Sequence, residues 1–136
     1  MPEPNPVDLA ARALAHRDRS RSEIEERLTE AGVGEESLGE ALDTLERLGY
    51  IDDGRFAASR AVVLATRGYG DAYIRHDLAE KGVSGEAAEE AIAALEPETD
   101  RARAIAARSG RTPKTVAQLA RKGFSYESLD GLSSDD

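Results

Sequence analysis

The sequence predicts an all-α protein built from three tandem three-helix repeats, each similar to a helix-turn-helix unit, in an elongated and curved array. Composition is the first reason: strong helix formers such as Ala, Leu, Glu and Arg are abundant in the 136 residues, and aromatic residues make up only 4%. Patterning is the second, because no stretch alternates apolar and polar residues for long enough to indicate a strand. An internal repeat is the third, and it sets the number of units.

The repeat appears when the sequence is aligned with itself. Residues 21–45 and 71–95 are offset by 50 positions, and nine of the 25 aligned residues are identical. Residues 78–86 and 119–127 are offset by 41 positions and share six of nine residues. The same offsets also align the segments that begin at Leu14, Leu64 and Ile105. The predicted organisation is a flexible tail at 1–6, repeats at 7–52, 53–97 and 98–132, and a flexible tail at 133–136.

In the first repeat, helix signals follow one another at short intervals. Ser22 with Glu25 three residues later fits a capping box at the start of a second helix. Gly32 fits the left-handed residue that commonly ends a helix. A third helix is expected from the helical spacing of apolar residues. These are Leu38, Leu42, Leu45 and Leu48.

The second repeat begins with Asp52 or Asp53 as a helix N-cap. Nine extra residues around this point predict that its first helix is the longer one. Gly68-Tyr69-Gly70 interrupts the chain before the second helix, Gly82 ends that helix, and Ser84 caps the third.

The third repeat contains the strongest helix start in the chain. Thr112 is a good N-cap, and Pro113 at the first helical position has no N–H that the helix would need. Gly123 is expected to end this helix, and Ser125 to begin a short last one.

The composition excludes several classes of protein. The net charge is −9 and the pI about 4.8, which argues against a general nucleic-acid coating protein. Cysteine is absent, so disulfides and thiol nucleophiles are excluded, and His16 and His76 are the only histidines. No apolar run is long enough to span a membrane, and the N-terminus lacks the pattern of a signal peptide. We therefore expect a cytoplasmic protein without catalytic, cofactor-binding or metal-binding residues.

Three small motifs have structural and functional readings. Asp52-Asp53 could contribute to a metal or acid–base site, but a helix cap explains it without further partners. Gly68-Tyr69-Gly70 does not follow a strand, so a linker explains it better than a dinucleotide fingerprint does. The two histidines lack a nearby nucleophile and are expected at the surface.

Charge is distributed unevenly along the chain. Residues 1–52 carry a net charge of −7, residues 53–97 carry −3, and residues 98–136 carry +1. The segment from Arg101 to Lys122 holds seven basic residues and no carboxylate. Such polarity suits docking on a charged partner, although solvated helix surfaces can also look like this.

Three motifs in the same order resemble those of the RecX regulatory proteins. LERLGYIDDGRFAASR (45–60) is similar to the signature at the junction of the first and second repeats of that family. AHRDRSRSEIEERL (15–28) resembles the family's basic, serine-containing opening, and LARKGFSYESL (119–129) resembles its closing segment. The resemblance extends from about Val7 to Leu132.

The resemblance implies a non-enzymatic modulator of the RecA recombinase, with roles in homologous recombination, DNA repair and the SOS response. Proteins of the family bind RecA filaments on single-stranded DNA, lie in the filament groove and suppress ATP hydrolysis, filament growth and strand exchange. By implication this chain contacts RecA directly and single-stranded DNA indirectly or weakly, with no membrane. The short chain and its net charge favour a monomer. The expected contact residues are Arg55, Arg60, Arg67, Arg75, Lys81, Arg101, Arg103, Arg108, Arg111, Lys114, Arg121 and Lys122.

A rival interpretation comes from the helix pairs around Gly32, Gly82 and Gly123. Each could act as a DNA-binding helix-turn-helix, which would make the chain a tandem DNA-binding protein independent of RecA. The net charge of −9 opposes this, because phosphate contacts dominate DNA affinity. An enzyme is a third and weaker alternative.

Overall fold

The computed structural model describes residues 5–133, and this part of the chain contains nine α-helices and no strand. The predicted all-α class is confirmed. The helices are α1 (Pro6–Leu14), α2 (Arg21–Glu30), α3 (Glu35–Arg47), α4 (Asp53–Thr66), α5 (Asp71–Glu80), α6 (Gly85–Ala93), α7 (Glu98–Ser109), α8 (Pro113–Arg121) and α9 (Tyr126–Ser133).

The helices pack in consecutive groups of three. The substantial helix–helix contacts of the described chain fall within α1–α3, within α4–α6 and within α7–α9. Each group has its own cluster of buried apolar side chains, such as Ile24 with Leu45 in the first, Ile74 with Leu78 in the second, and Ala102 with Leu119 in the third. We call these the first, second and third groups.

The predicted tails fall largely outside the described residues. Residues 1–4 and 134–136 are not described. The first helix begins at Pro6, with the Asn5 side chain accepting bonds from the N–H groups of Val7 and Asp8, and the last helix includes Ser133.

Most of the predicted helix caps are confirmed. Asp52, Ser84 and Thr112 each accept a hydrogen bond from a backbone N–H in the first turn of the helix that follows. The predicted cap at Ser22 is wrong. Ser20 caps α2 instead and forms a reciprocal capping box with Glu23, so the helix starts two residues earlier than the pattern suggested.

Helix lengths and ends follow the sequence closely. Helix α4 has 14 residues, against nine in α1 and 12 in α7, as the insertion predicted. Gly32, Gly82 and Gly123 all have positive φ and follow the ends of α2, α5 and α8. A left-handed residue at this position lets the chain turn away while the last carbonyls stay bonded.

The middle helices of successive groups meet end to end. The N-terminus of α2 lies against the C-terminus of α5, where the Ser20 hydroxyl donates to the Lys81 carbonyl at 2.6 Å. The N-terminus of α5 lies against the C-terminus of α8 in the same way, and Gly70 N–H donates to the Lys122 carbonyl at 2.8 Å. The helix dipoles at both meeting points therefore run head to tail, which is favourable.

A carboxylate completes each meeting point. Arg21 N–H donates to Asp53 Oδ1 at 2.8 Å, and Asp71 N–H donates to Glu98 Oε2 at 2.7 Å. In both cases the first N–H of a middle helix is satisfied by an acid from the first residue of the next group's first helix. We call the meeting point of α2 with α5 the first junction and that of α5 with α8 the second junction.

Candidate protein interface

Arg101 is a structural residue of the second junction. Its side chain is 9% exposed, and Nη1 donates to Asp71 Oδ1 at 2.7 Å and to the Glu96 carbonyl at 3.2 Å. Its Nη2 donates to the Tyr69 carbonyl at 3.1 Å, and the guanidinium lies over the Phe124 ring. This arginine was a predicted contact residue, yet its charge is used inside the molecule.

Glu98 links three segments at the same junction. Besides bonding Asp71 N–H, its carboxylate accepts from Ser125 N–H at 3.0 Å and from the Ser128 hydroxyl at 2.7 Å. Burial raises the pKa of Glu98, but the bonds from Ser125, Ser128 and Asp71 outweigh it and hold the pKa below its ordinary value. The ionised carboxylate is therefore the form that the junction stabilises.

Lys122 is also engaged within the molecule. Its ammonium donates to the Arg67 carbonyl at 2.7 Å and lies 4.6 Å from the centre of the Tyr69 ring. Tyr69 in turn stacks on Tyr73, with ring centres 4.0 Å apart. The Lys122 ammonium is therefore stabilised in this position both by the face of the Tyr69 ring and by the carbonyl at the end of α4.

Asp77 holds two of the predicted contact residues. Arg60 makes a bidentate pair with its carboxylate at 2.9 and 3.0 Å, and Lys81 adds a third contact at 3.1 Å. The hydrogen bonds from Arg60 hold the pKa of Asp77 below its ordinary value, although partial burial opposes this. Asp77 raises the pKa of Arg60 by the same interaction.

Two further predicted contact residues form exposed ion pairs. Arg75 binds Glu89 through Nε and Nη2 at 2.8–3.0 Å. Arg55 reaches Asp18 at 3.3 Å and the Gly49 carbonyl at 3.2 Å, so it bridges the first and second groups. Because these side chains are about half exposed, each pair contributes little to stability.

The remaining cations point outward. Five are exposed and make no ion pair with any described residue, and Arg111 is exposed but has an interaction of its own. The five lie at the end of α4, on α7 and on α8. They are Arg67, Arg103, Arg108, Lys114 and Arg121.

Two of these five lie in a common groove. A cavity of about 210 Å³ opens beside the second junction, and its lining includes Arg67, Arg108 and Lys122 together with polar residues such as Gln118. None of its lining residues is acidic. We call Arg67, Arg108 and Lys122 the cationic groove, because their arrangement can receive a carboxylate or a phosphate group.

The corresponding groove at the first junction differs in charge. It has about 270 Å³ and is lined by Arg17 and Arg60, but also by Asp18. Arg17 contacts Glu23 at 3.5 Å and is thereby partly neutralised. The second junction is consequently the better anion-binding surface of the two.

An apolar groove lies on the third group and was not predicted from the sequence. It has about 720 Å³ and is lined mainly by side chains of α8 and α9, including Val116, Phe124 and Leu129. Tyr126, which is 89% exposed, stands at its edge. In the sequence, the signal that could have indicated this groove is Tyr126, a large aromatic residue that the core of the third group does not need.

The structure resolves the smaller motifs. Asp52 caps α4, and Asp53 serves the first junction. His76 lies 2.9 Å from Glu80 on the exposed face of α5. Among residues 5–133, no group of three potential metal ligands comes together. No helix in that range is long and apolar enough to cross a membrane.

Comparison with known proteins gives consistent matches along the chain. The model of the first three-helix domain of RecX matches residues 8–45, and that of the second three-helix domain of RecX matches residues 52–92. The regulatory protein RecX of Chromohalobacter salexigens is 37% identical, with 93% of this chain and 90% of that protein covered. That of Stenotrophomonas maltophilia is 34% identical, with 93% and 84% covered.

Solved structures agree on the fold. The crystal structure of RecX from Lactobacillus salivarius superposes with a TM-score of 0.81, covering 94% of this chain and 92% of that one. A second crystal structure, described as regulatory protein RecX, gives a TM-score of 0.79 over 96% of this chain and 74% of that one. At 24% identity each, these two likenesses concern the fold alone.

Proposed function

The chain belongs to the RecX family, and on that basis we propose that it binds RecA filaments on single-stranded DNA and inhibits RecA. Its relatives carry the name regulatory protein. In this proposal the chain works by docking in the cytoplasm beside RecA, with no catalytic step of its own. The inhibited processes are ATP hydrolysis, filament extension and strand exchange.

One observation supports a docking role most directly: the cationic groove lies on a protein whose net charge is −9. Arg67 and Arg108 are exposed there without an ion pair to any described residue. Most other arginines near the junctions have an acidic partner within the molecule. Cations that remain unpaired on an acidic protein suit an anionic partner, and an acidic protein surface and a DNA phosphate both qualify.

The internally paired cations take a different part in the proposal. Arg60, Lys81 and Arg101 hold their helices through buried or half-buried contacts, so they shape the docking surface and do not compete for the partner. The exposed contact set that we propose is accordingly smaller than the predicted one. It comprises Arg67, Arg103, Arg108, Lys114 and Arg121, together with Lys122 at the edge of the groove.

A binding experiment with RecA filaments tests this site. The variant Arg67→Glu with Arg108→Glu reverses two charges in the cationic groove. The control, Arg12→Glu with Arg47→Glu, reverses two exposed charges in the acidic first group and gives the same net charge. We expect co-sedimentation of the first variant with filaments to weaken by about tenfold or more, since two close charge pairs are inverted. Equal binding by both variants would exclude the groove as the contact.

The rival, DNA binding without RecA, is tested by the same proteins. Its support is that the exposed cations could also contact phosphates. If the wild-type chain bound single-stranded DNA tightly at about 0.15 M salt without RecA, and did so more weakly as salt rose, the rival would be favoured. Our proposal expects weak DNA binding under those conditions.

A further inference from the structure

The two junctions share one construction, although their sequences differ. In each, the residue just before a middle helix donates a hydrogen bond to the carbonyl just after the middle helix of the next group. Ser20, before α2, bonds the carbonyl of Lys81 after α5, and Gly70, before α5, bonds the carbonyl of Lys122 after α8. In each, a left-handed glycine adjoins that carbonyl so that the incoming helix can approach. A Cβ on Gly82 would collide with Ser22, and one on Gly123 would lie 2.7 Å from Tyr73 N.

The first group presents the accepting half of this construction at its outer end. Ala31 is the C-cap of α2, and Gly32 follows it with a φ of +91°, just as Gly82 and Gly123 have positive φ after the C-caps of α5 and α8. Ala31 and Gly32 are exposed, and no heavy atom outside its own neighbourhood lies within 4 Å of a Cβ built on Gly32. Asp8 lies exposed in the first turn of α1 as its third residue, whereas Asp53 and Glu98 are the half-buried first residues of α4 and α7.

The third group presents the donating half at the opposite end of the chain. Thr112 caps α8 as Ser20 caps α2, through a hydroxyl that accepts from a first-turn N–H. At the first junction the Ser20 hydroxyl also uses its proton to bond the Lys81 carbonyl. Thr112 is exposed, and its hydroxyl lies 3.2 Å from the Thr115 hydroxyl, so its proton is available to a docked carbonyl when Thr115 is the donor of that pair.

The two ends are complementary in charge. Next to the end of α2 along the chain lie the exposed carboxylates of Glu30 and Glu35, and the negative end of the α2 dipole lies with them. Around the start of α8 stand the exposed Arg111 and Lys114, together with the positive end of the α8 dipole. An electrostatic attraction between these ends follows.

From this we propose that two copies of the chain associate head to tail, the N-terminus of α8 of one copy docking on the C-terminus of α2 of the next. The contact is heterologous, so it leaves both outer ends open to further copies. It reproduces the internal junctions except at one bond: Pro113, the first residue of α8, has no N–H to offer Asp8. The association is therefore weaker than an internal junction, and the chain is monomeric when dilute.

Site-directed cross-linking tests the contact, because the natural sequence has no cysteine. Two single variants, Ala31→Cys and Lys114→Cys, are mixed at equal concentration and oxidised mildly. Both positions are exposed, and circular dichroism confirms that each variant is folded. The control pairs Ala31→Cys with Ala104→Cys, an exposed position on α7.

We expect the Ala31→Cys and Lys114→Cys pair to form mixed dimers about tenfold faster than the control pair, because docking raises the local thiol concentration. The excess should vanish in 1 M salt, where charges are screened beyond about 3 Å. Equal rates in the two mixtures at low salt would overturn the proposal. The experiment contains no RecA, so its result is independent of whether the chain inhibits the recombinase.

Discussion

Arg101 and Asp71 form an ion pair at 2.7 Å that ties α7 to the start of α5 across the second junction. The Arg101 side chain is almost wholly buried, and its remaining bonds go to the carbonyls of Tyr69, just before α5, and of Glu96, just before α7. The pair therefore fixes the relative placement of the second and third groups. The cationic groove, which is lined by residues from both groups, depends on that placement.

Removal of Arg101 should destabilise the fold. Arg101→Ala leaves the Asp71 carboxylate and the Tyr69 carbonyl without their charged donor, and we expect a loss of about 2–3 kcal/mol in the free energy of unfolding. The matched control is Arg103→Ala on the same helix. That side chain is exposed, and its loss should cost less than about 0.5 kcal/mol. Urea denaturation measures both, and equal losses would refute the structural role of Arg101.

A comparison of two glycines isolates the first junction. Gly32→Ala and Gly82→Ala both place alanine in the left-handed region, which costs about 1–2 kcal/mol each. Only the Cβ on Gly82 collides with Ser22, so we expect an additional loss of about 1–3 kcal/mol there. Hydrogen exchange at α2 and α5 would report the same weakening locally. A loss no greater for Gly82→Ala than for Gly32→Ala would show that the ends of α2 and α5 do not meet.

Acid should destabilise the protein through Asp77. Its pKa is lowered in the folded state by Arg60 and Lys81, so the unfolded chain binds a proton first as the pH falls. The stabilisation is complete above the ordinary aspartate pKa of about 3.9 and is lost as the pH falls through the lower, folded value. The lowered pKa of Glu98 acts in the same direction.

The variant Asp77→Asn tests this contribution. We expect it to lose about 1.5–3 kcal/mol at pH 7, because Arg60 loses a bidentate charged partner, and to show a shallower fall in stability below pH about 4. Glu127→Gln, which removes an exposed carboxylate, serves as the control. Denaturation midpoints measured from pH 7 to 2.5 would contradict the account if the two variants had parallel profiles.

Much of this fold can be predicted from the sequence alone. Gly32, Gly82 and Gly123 could be predicted as helix ends because glycine is the residue that most easily adopts a left-handed conformation, and their spacing agrees with the offsets found by self-alignment. Thr112-Pro113 could be recognised because a helix start has local chemistry. Ser20 was missed in favour of Ser22, since both serines precede a glutamate by three residues and local sequence does not separate them.

The site was less accessible to sequence reasoning. A count of charges shows seven cations in 101–122, but it cannot show that Arg101 pairs with Asp71, 30 residues away, or that Lys122 donates to the backbone carbonyl of Arg67, 55 residues away. The Arg60–Asp77 pair is hidden for the same reason. Exposure without an ion pair in a shared groove, which distinguishes Arg67 and Arg108 from the other cations, is a property of the folded chain only.

The rate of ATP hydrolysis by RecA on single-stranded DNA tests the central proposal most directly. The chain is titrated into preformed filaments at ratios well below one copy per RecA subunit. We predict that the rate falls at these low ratios, because an array that spans several subunits gains avidity. The Arg67→Glu and Arg108→Glu variant should need a higher ratio for the same effect. An unchanged rate with the wild-type chain, while the filaments remain intact, would contradict the proposed inhibition of RecA.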